Sequence, residues 1–77
     1  MTSWLTELKA GDQARIIDIA QVDALLRRRL IDLGVMEGTM VRVSRLLPFG
    51  GPLTLDAAGQ EIGIRRRNAS QIRVEYA

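Results

Sequence analysis

The chain contains no cysteine and no histidine. The first absence excludes disulfides and thiolate metal ligands. Together they remove the side chains that provide nearly all zinc sites and most iron sites. They also remove the commonest nucleophile and acid–base pairings. Any metal would have to be held by carboxylates alone. Asp12, Asp18, Asp23, Asp32, Glu37, Asp56 and Glu61 lack the close, regular spacing of an oxygen-ligand loop. The expectation is a protein that is not an enzyme, with no cofactor and no specific metal site.

Aromatic residues are nearly absent as well: only Trp4, Phe49 and Tyr76 are present, so the core must be built from Ile, Leu and Val. No apolar run approaches the roughly 20 residues of a membrane span. Residues 1–10 lack the basic start and apolar stretch of a signal peptide. These absences point to a cytoplasmic protein, peripheral to a membrane at most. One sign of charge does not dominate either. Nine acidic residues face eleven basic ones, ten of them arginine, for a net charge of +2. A dedicated nucleic-acid binder is usually more lopsided, so no nucleic acid is expected as a partner. A homo-oligomer is compatible with the composition.

What is present fits one domain over residues 1–77, with 47% hydrophobic residues. Trp4, Leu5 and Leu8 fall at helical spacing and predict a short turn within residues 2–9. Residues 14–20 are β-branched and predict a strand, with Ile17 and Ile19 on one face and Ile16 on the other. Residues 22–33 predict the one helix. Val22, Leu25, Leu26, Leu30 and Leu33 share a face at period 3.6, Asp23 lies in the first turn, and Gly34 is placed to end it. Arg29 interrupts the apolar face and is expected to bond a carbonyl or carboxylate within the protein.

Residues 40–47 alternate and predict a strand with Val41 and Val43 inward. Pro48-Phe49-Gly50-Gly51-Pro52 is a tight turn. Strands at 53–56 and 60–65 follow, joined by a turn at Ala58-Gly59, with Ile62 and Ile64 inward. Residues 66–70 read as a charged connection with at most one 3₁₀ turn. Residues 71–76 close the chain, with Ile72, Val74 and Tyr76 on one face. Five short strands are few for a flat sheet. Curling them into a barrel removes open edges. The predicted fold is mainly β, a small SH3-like barrel of about five strands with one α-helix between the first and second.

In that order of elements, four segments resemble the FeoA family: Leu5 to Gly11, Arg29 to Gly38, Val41 to Pro52, and Gly59 to Val74. The middle two are the specific ones. They combine a helix stop, Gly, an apolar pair, an acid and Gly with an alternating strand that ends in Pro-Phe-Gly. Gly51 and Asn68 depart from the family, which often carries acids at those places. The resemblance implies a cytoplasmic accessory protein of ferrous-iron uptake. It would act by protein–protein binding to FeoB, a membrane permease, through that permease's cytoplasmic GTPase domain. Two alternatives stand beside it: a small barrel of this kind binding nucleic acid, or a detached SH3-like module of an iron-dependent regulator.

The candidate partner-binding residues are Ile31, Met36, Leu47, Pro48, Phe49, Gly50 and Pro52. Phe49 admits two readings, an exposed interface anchor or a cap folded over the barrel's end. The basic runs Arg27-Arg28-Arg29 and Arg65-Arg66-Arg67 read as solvated faces, because neither is interleaved with aromatics.

Overall fold

A computed structural model describes residues 2–76. The elements follow in the order β1 (Thr2–Trp4), a 3₁₀ turn (Leu5–Glu7), β2 (Gln13–Asp18), α1 (Ala24–Asp32), β3 (Met40–Leu46), β4 (Leu53–Ala57), β5 (Gln60–Ile64), α2 (Arg66–Ala69) and β6 (Arg73–Tyr76). The six strands form one antiparallel sheet in the order β1-β6-β2-β3-β4-β5.

That order corrects the expected fold. The sheet is open: β1 and β5 lie at its two edges and do not pair, so the closed SH3-like barrel is not formed. The strand count rises to six because residues 2–4 extend along β6 instead of coiling into a helical turn, which begins only at Leu5. The sheet nevertheless curls around its core, for the molecule is almost as deep as it is wide, at 27 × 24 × 23 Å. Helix α2 lies against the 3₁₀ turn, with Leu5, Leu8, Ala69 and Ile72 all buried, and Leu5 N–H donates to the Ile72 carbonyl.

The core is aliphatic, as the composition requires. Ala14, Ile16, Val41, Val43, Leu53, Leu55, Ile62, Ile64 and Val74 line the inner face of the strands at alternating positions. A register shift in β2 between Ile16 and Asp18 breaks the alternation. The extra residue lets both Ile16 and Ile19 point inward while Ile17 is only half-buried, in place of the expected pairing of Ile17 with Ile19. Tyr76 likewise leaves the face shared by Ile72 and Val74. It is largely exposed, with its hydroxyl 3.5 Å from the Glu7 carbonyl.

Helix α1 starts two residues later than the periodicity implies. Asp23 is its N-cap, and the carboxylate accepts the Leu26 amide at 2.9 Å. Only Leu30 is fully buried, and Leu26 and Leu33 are half-buried. Leu25, expected on the apolar face, is 85% exposed. Arg29 also points to solvent, and the internal bonds expected of it come from other arginines. Arg27 donates to the Ala20 carbonyl, and Arg66 fastens a turn described below. Residues 66–69 form a short α-helix, more regular than the expected connection.

Candidate functional site

Besides Trp4, Leu25, Met40 and Tyr76, exposed apolar side chains are presented at two rigid places. The first is the end of α1. Gly34, with φ +84°, reverses the chain, and the Gly34 amide donates to the Ile31 carbonyl while the Val35 amide reaches back to Leu30. This pair of bonds is a Schellman motif, sealed by the buried contact class it favours, Leu30 and Val35. The next turn is closed by the Thr39 amide donating to the Met36 carbonyl. The Thr39 hydroxyl also accepts from the Met36 amide and donates to the Gly34 carbonyl. Glu37 reaches across to accept the Ile19 amide. Held this way, Ile31 and Met36 stand outward, 43% and 40% exposed.

The second place is the loop between β3 and β4. Residues 47–52 turn so that Leu47 N–H meets the Pro52 carbonyl and Gly51 N–H meets the Pro48 carbonyl. The two central residues of that inner turn, Phe49 and Gly50, both have positive φ, +59° and +71°. That is the requirement of a type I′ turn. A phenylalanine there is held in a region that side chains with a Cβ avoid. Its ring is as exposed as in an isolated chain, at 103%. The structure therefore decides between the two readings of Phe49: it does not cap the core.

Arg66 fixes the loop from outside. Its guanidinium donates from Nε to the Gly51 carbonyl at 3.1 Å and from Nη2 to the Leu47 carbonyl at 3.3 Å. Gly51 is needed at close quarters, because a Cβ there would sit 3.0 Å from the Leu47 Cβ and 3.2 Å from the Pro48 oxygen. A side chain at that position would have to displace Leu47.

Of the seven sequence candidates, Leu47, Pro48, Phe49, Gly50 and Pro52 come together in this one loop. Ile31 and Met36 belong to the helix end, on a separate element. Sequence reasoning missed Leu25, which lines a shallow surface depression with Ala24, Arg27, Arg28 and Ile31. It also missed Arg66 as the loop's fastener. No sequence signal sets Leu25 apart, since it fits the period of the apolar face; the helix proves to be nine residues long and buries only Leu30 fully. Nothing in the sequence marks Arg66 apart from its neighbours. Among the described residues, no three acidic side chains converge as a metal-binding group.

A model of the FeoA domain family matches residues 4–76. The chain belongs to the FeoA family. Its members are accessory domains of ferrous-iron transport without a catalytic role. The solution structure of an FeoA protein from Chlorobium tepidum is 38% identical, with a TM-score of 0.89, matching 96% of this chain and 70% of its own. An FeoA-like protein from Clostridium acetobutylicum is 27% identical, with a TM-score of 0.80, over 97% of this chain and 86% of its own. A manganese-dependent transcriptional repressor also superposes, with a TM-score of 0.85. At 18% identity, and with only 42% of the repressor covered, that likeness is one of fold alone. Compared with curated protein sequences, this FeoA-family chain shows no significant match.

Proposed function

We propose that this FeoA-family protein serves ferrous-iron uptake from the cytoplasmic side by docking on the GTPase domain of FeoB. Proteins of the family act by protein–protein contact with that permease. The docking surface is assigned to Ile31 and Met36 at the end of α1, joined by the loop from Leu47 to Pro52. One observation carries the reading: apolar side chains that a small core could have used are held outward by rigid caps and turns. Pre-organised apolar anchors of this kind lose little entropy on binding. Regulation of the permease would follow if the two permease states differ in affinity for this surface.

The test is an NMR titration of the labelled protein with the soluble GTPase domain of the cognate FeoB, with and without nucleotide. Saturable shifts centred on Gly34–Met36 are expected, with the double change Ile31→Ser and Met36→Ser weakening binding about tenfold, a typical cost for two modest anchors. Absence of shifts in every nucleotide state would overturn the reading.

A further inference from the structure

The loop from Leu47 to Pro52 has a second set of properties that a protein contact does not require. Its six residues are Leu, Pro, Phe, Gly, Gly and Pro, so none carries a side-chain hydrogen-bonding group. Its backbone is almost self-sufficient. The carbonyls of Leu47, Pro48, Gly51 and Pro52 all accept bonds, the amides of Leu47 and Gly51 both donate, and the prolines have no N–H. Polar backbone groups without a partner remain only at Phe49 and Gly50, the tip. Those tip groups need water or headgroup partners, so the loop suits the membrane interface and not the hydrocarbon core.

The charge around the loop is one-sided. Residues 38–55 and 62–74 contain no aspartate or glutamate, yet they hold Arg42, Arg45, Arg65, Arg66, Arg67 and Arg73. Strand register places several of these at the loop end. Arg45 pairs with Thr54, each two residues from the loop, and Ile64, next to Arg65, pairs with Leu53. Arg66 touches the loop itself, and Arg65 and Arg67 on either side of it are exposed. The acids of the same strands, Asp56 and Glu61, pair with each other toward the opposite end. The result is an exposed phenylalanine, with Leu47 beside it 41% exposed, at the end of the sheet to which the strand register also brings Arg45 and Arg65.

From this arrangement we infer that the Leu47–Pro52 loop is a membrane-interface anchor. Phe49 and Leu47 enter the headgroup region of an anionic bilayer while Arg45, Arg65 and Arg67 meet lipid phosphates. A short apolar insertion and a small basic patch are each weak alone and together give reversible binding. The inference goes beyond docking on FeoB, since the lipid contact is made by the isolated protein.

Co-sedimentation of the purified protein with vesicles tests it, comparing phosphatidylcholine alone with a mixture containing phosphatidylglycerol. Binding is expected to the anionic vesicles at low salt, to fall steeply as salt is raised, and to be at least tenfold weaker on neutral ones. Arg65→Gln and Arg67→Gln should each cost about fivefold. Phe49→Ala, at a position touching nothing in the fold, should cost a similar factor at every salt concentration. A Phe49→Trp variant should show blue-shifted emission on anionic vesicles, relative to the parent with Trp4 alone. Equal binding to both vesicle types, no binding to either, or anionic binding indifferent to Phe49→Ala would overturn the inference. So would retention on a single-stranded oligonucleotide that matches the vesicles in strength and ignores Phe49→Ala, for it would assign the arginines to nucleic acid. No permease is present, so these outcomes are independent of the FeoB titration.

Discussion

Among the described residues two non-glycines, Phe49 and Ala58, occupy the left-handed region, each as the first central residue of a two-residue turn followed by a glycine. Asparagine or glycine would be the comfortable choice at both. The strain at each costs of order 1 kcal/mol. Ala58 sits at the β4–β5 turn with only an exposed methyl group to offer, so nothing is lost by replacing it. Ala58→Gly is expected to raise stability by about 0.5–1 kcal/mol, read as a higher denaturant midpoint at unchanged slope. Phe49→Asn should raise stability by a similar amount, about 1 kcal/mol, while weakening association with whatever the loop contacts. A residue whose removal steadies the fold and impairs binding is retained for the binding. The sequence alone marks Phe49 as notable, because it is an aromatic among glycines and prolines. It does not reveal which way the ring goes. That depends on φ, and a phenylalanine gives no hint of a positive φ in the way a glycine does.

At the scale of elements, the two presenting structures differ in how well the sequence announces them. The end of α1 is legible: Gly34 after a periodic apolar run is a stop signal, and the structure fulfils it with both Schellman bonds. The start is legible only in part. Val22 matches the period but precedes the helix, buried at the end of the linking turn, and Asp23 is the cap. Asp23→Ala should cost about 1 kcal/mol by leaving the Leu26 amide without its acceptor, and amide exchange should quicken first in residues 24–27. The loop fastened by Arg66 was not legible, because its bonds join residues 15 and 19 positions apart. Arg66→Met keeps the stem and removes the donors. It is expected to cost about 1–2 kcal/mol and to speed hydrogen exchange at Leu47 and Gly51, with the core strands unchanged. A loss of protection spread over β2 and β6 instead would mean that Arg66 supports the fold generally and does not serve the loop.

For the molecule as a whole, five of the six strands, most core residues and the single long helix could be read from alternation and period. Closure could not. Whether the edges of a curled sheet meet depends on strand lengths and on what fills the gap. Here β1 is only three residues long, and the chain after β5 turns into α2, which packs on the 3₁₀ turn that follows β1. The sheet therefore keeps a free edge at β5. The two-residue turn makes Ala57 and Gln60 a hydrogen-bonded pair, so Glu61 and Gly63 direct their amides and carbonyls away from β4. Such an edge can template pairing with another chain unless something blunts it. No proline or lysine stands in β5, and the blunting falls to the charge of Glu61 and to Gly63, which gives the edge little side-chain surface. A Cβ at Gly63 would meet nothing within 4 Å and would lie opposite Thr54, in a close cross-strand pair. Gly63→Val should therefore stabilise the monomer fold by about 1 kcal/mol, while making the edge flatter and more apolar. The melting temperature is expected to rise and the mass seen by light scattering to increase with concentration beyond that of the parent. If the variant melts higher with no added association, the edge is already protected by its curl, and Gly63 has no protective role. If it melts lower, the space beside Gly63 is not open and the curl is tighter than its register implies.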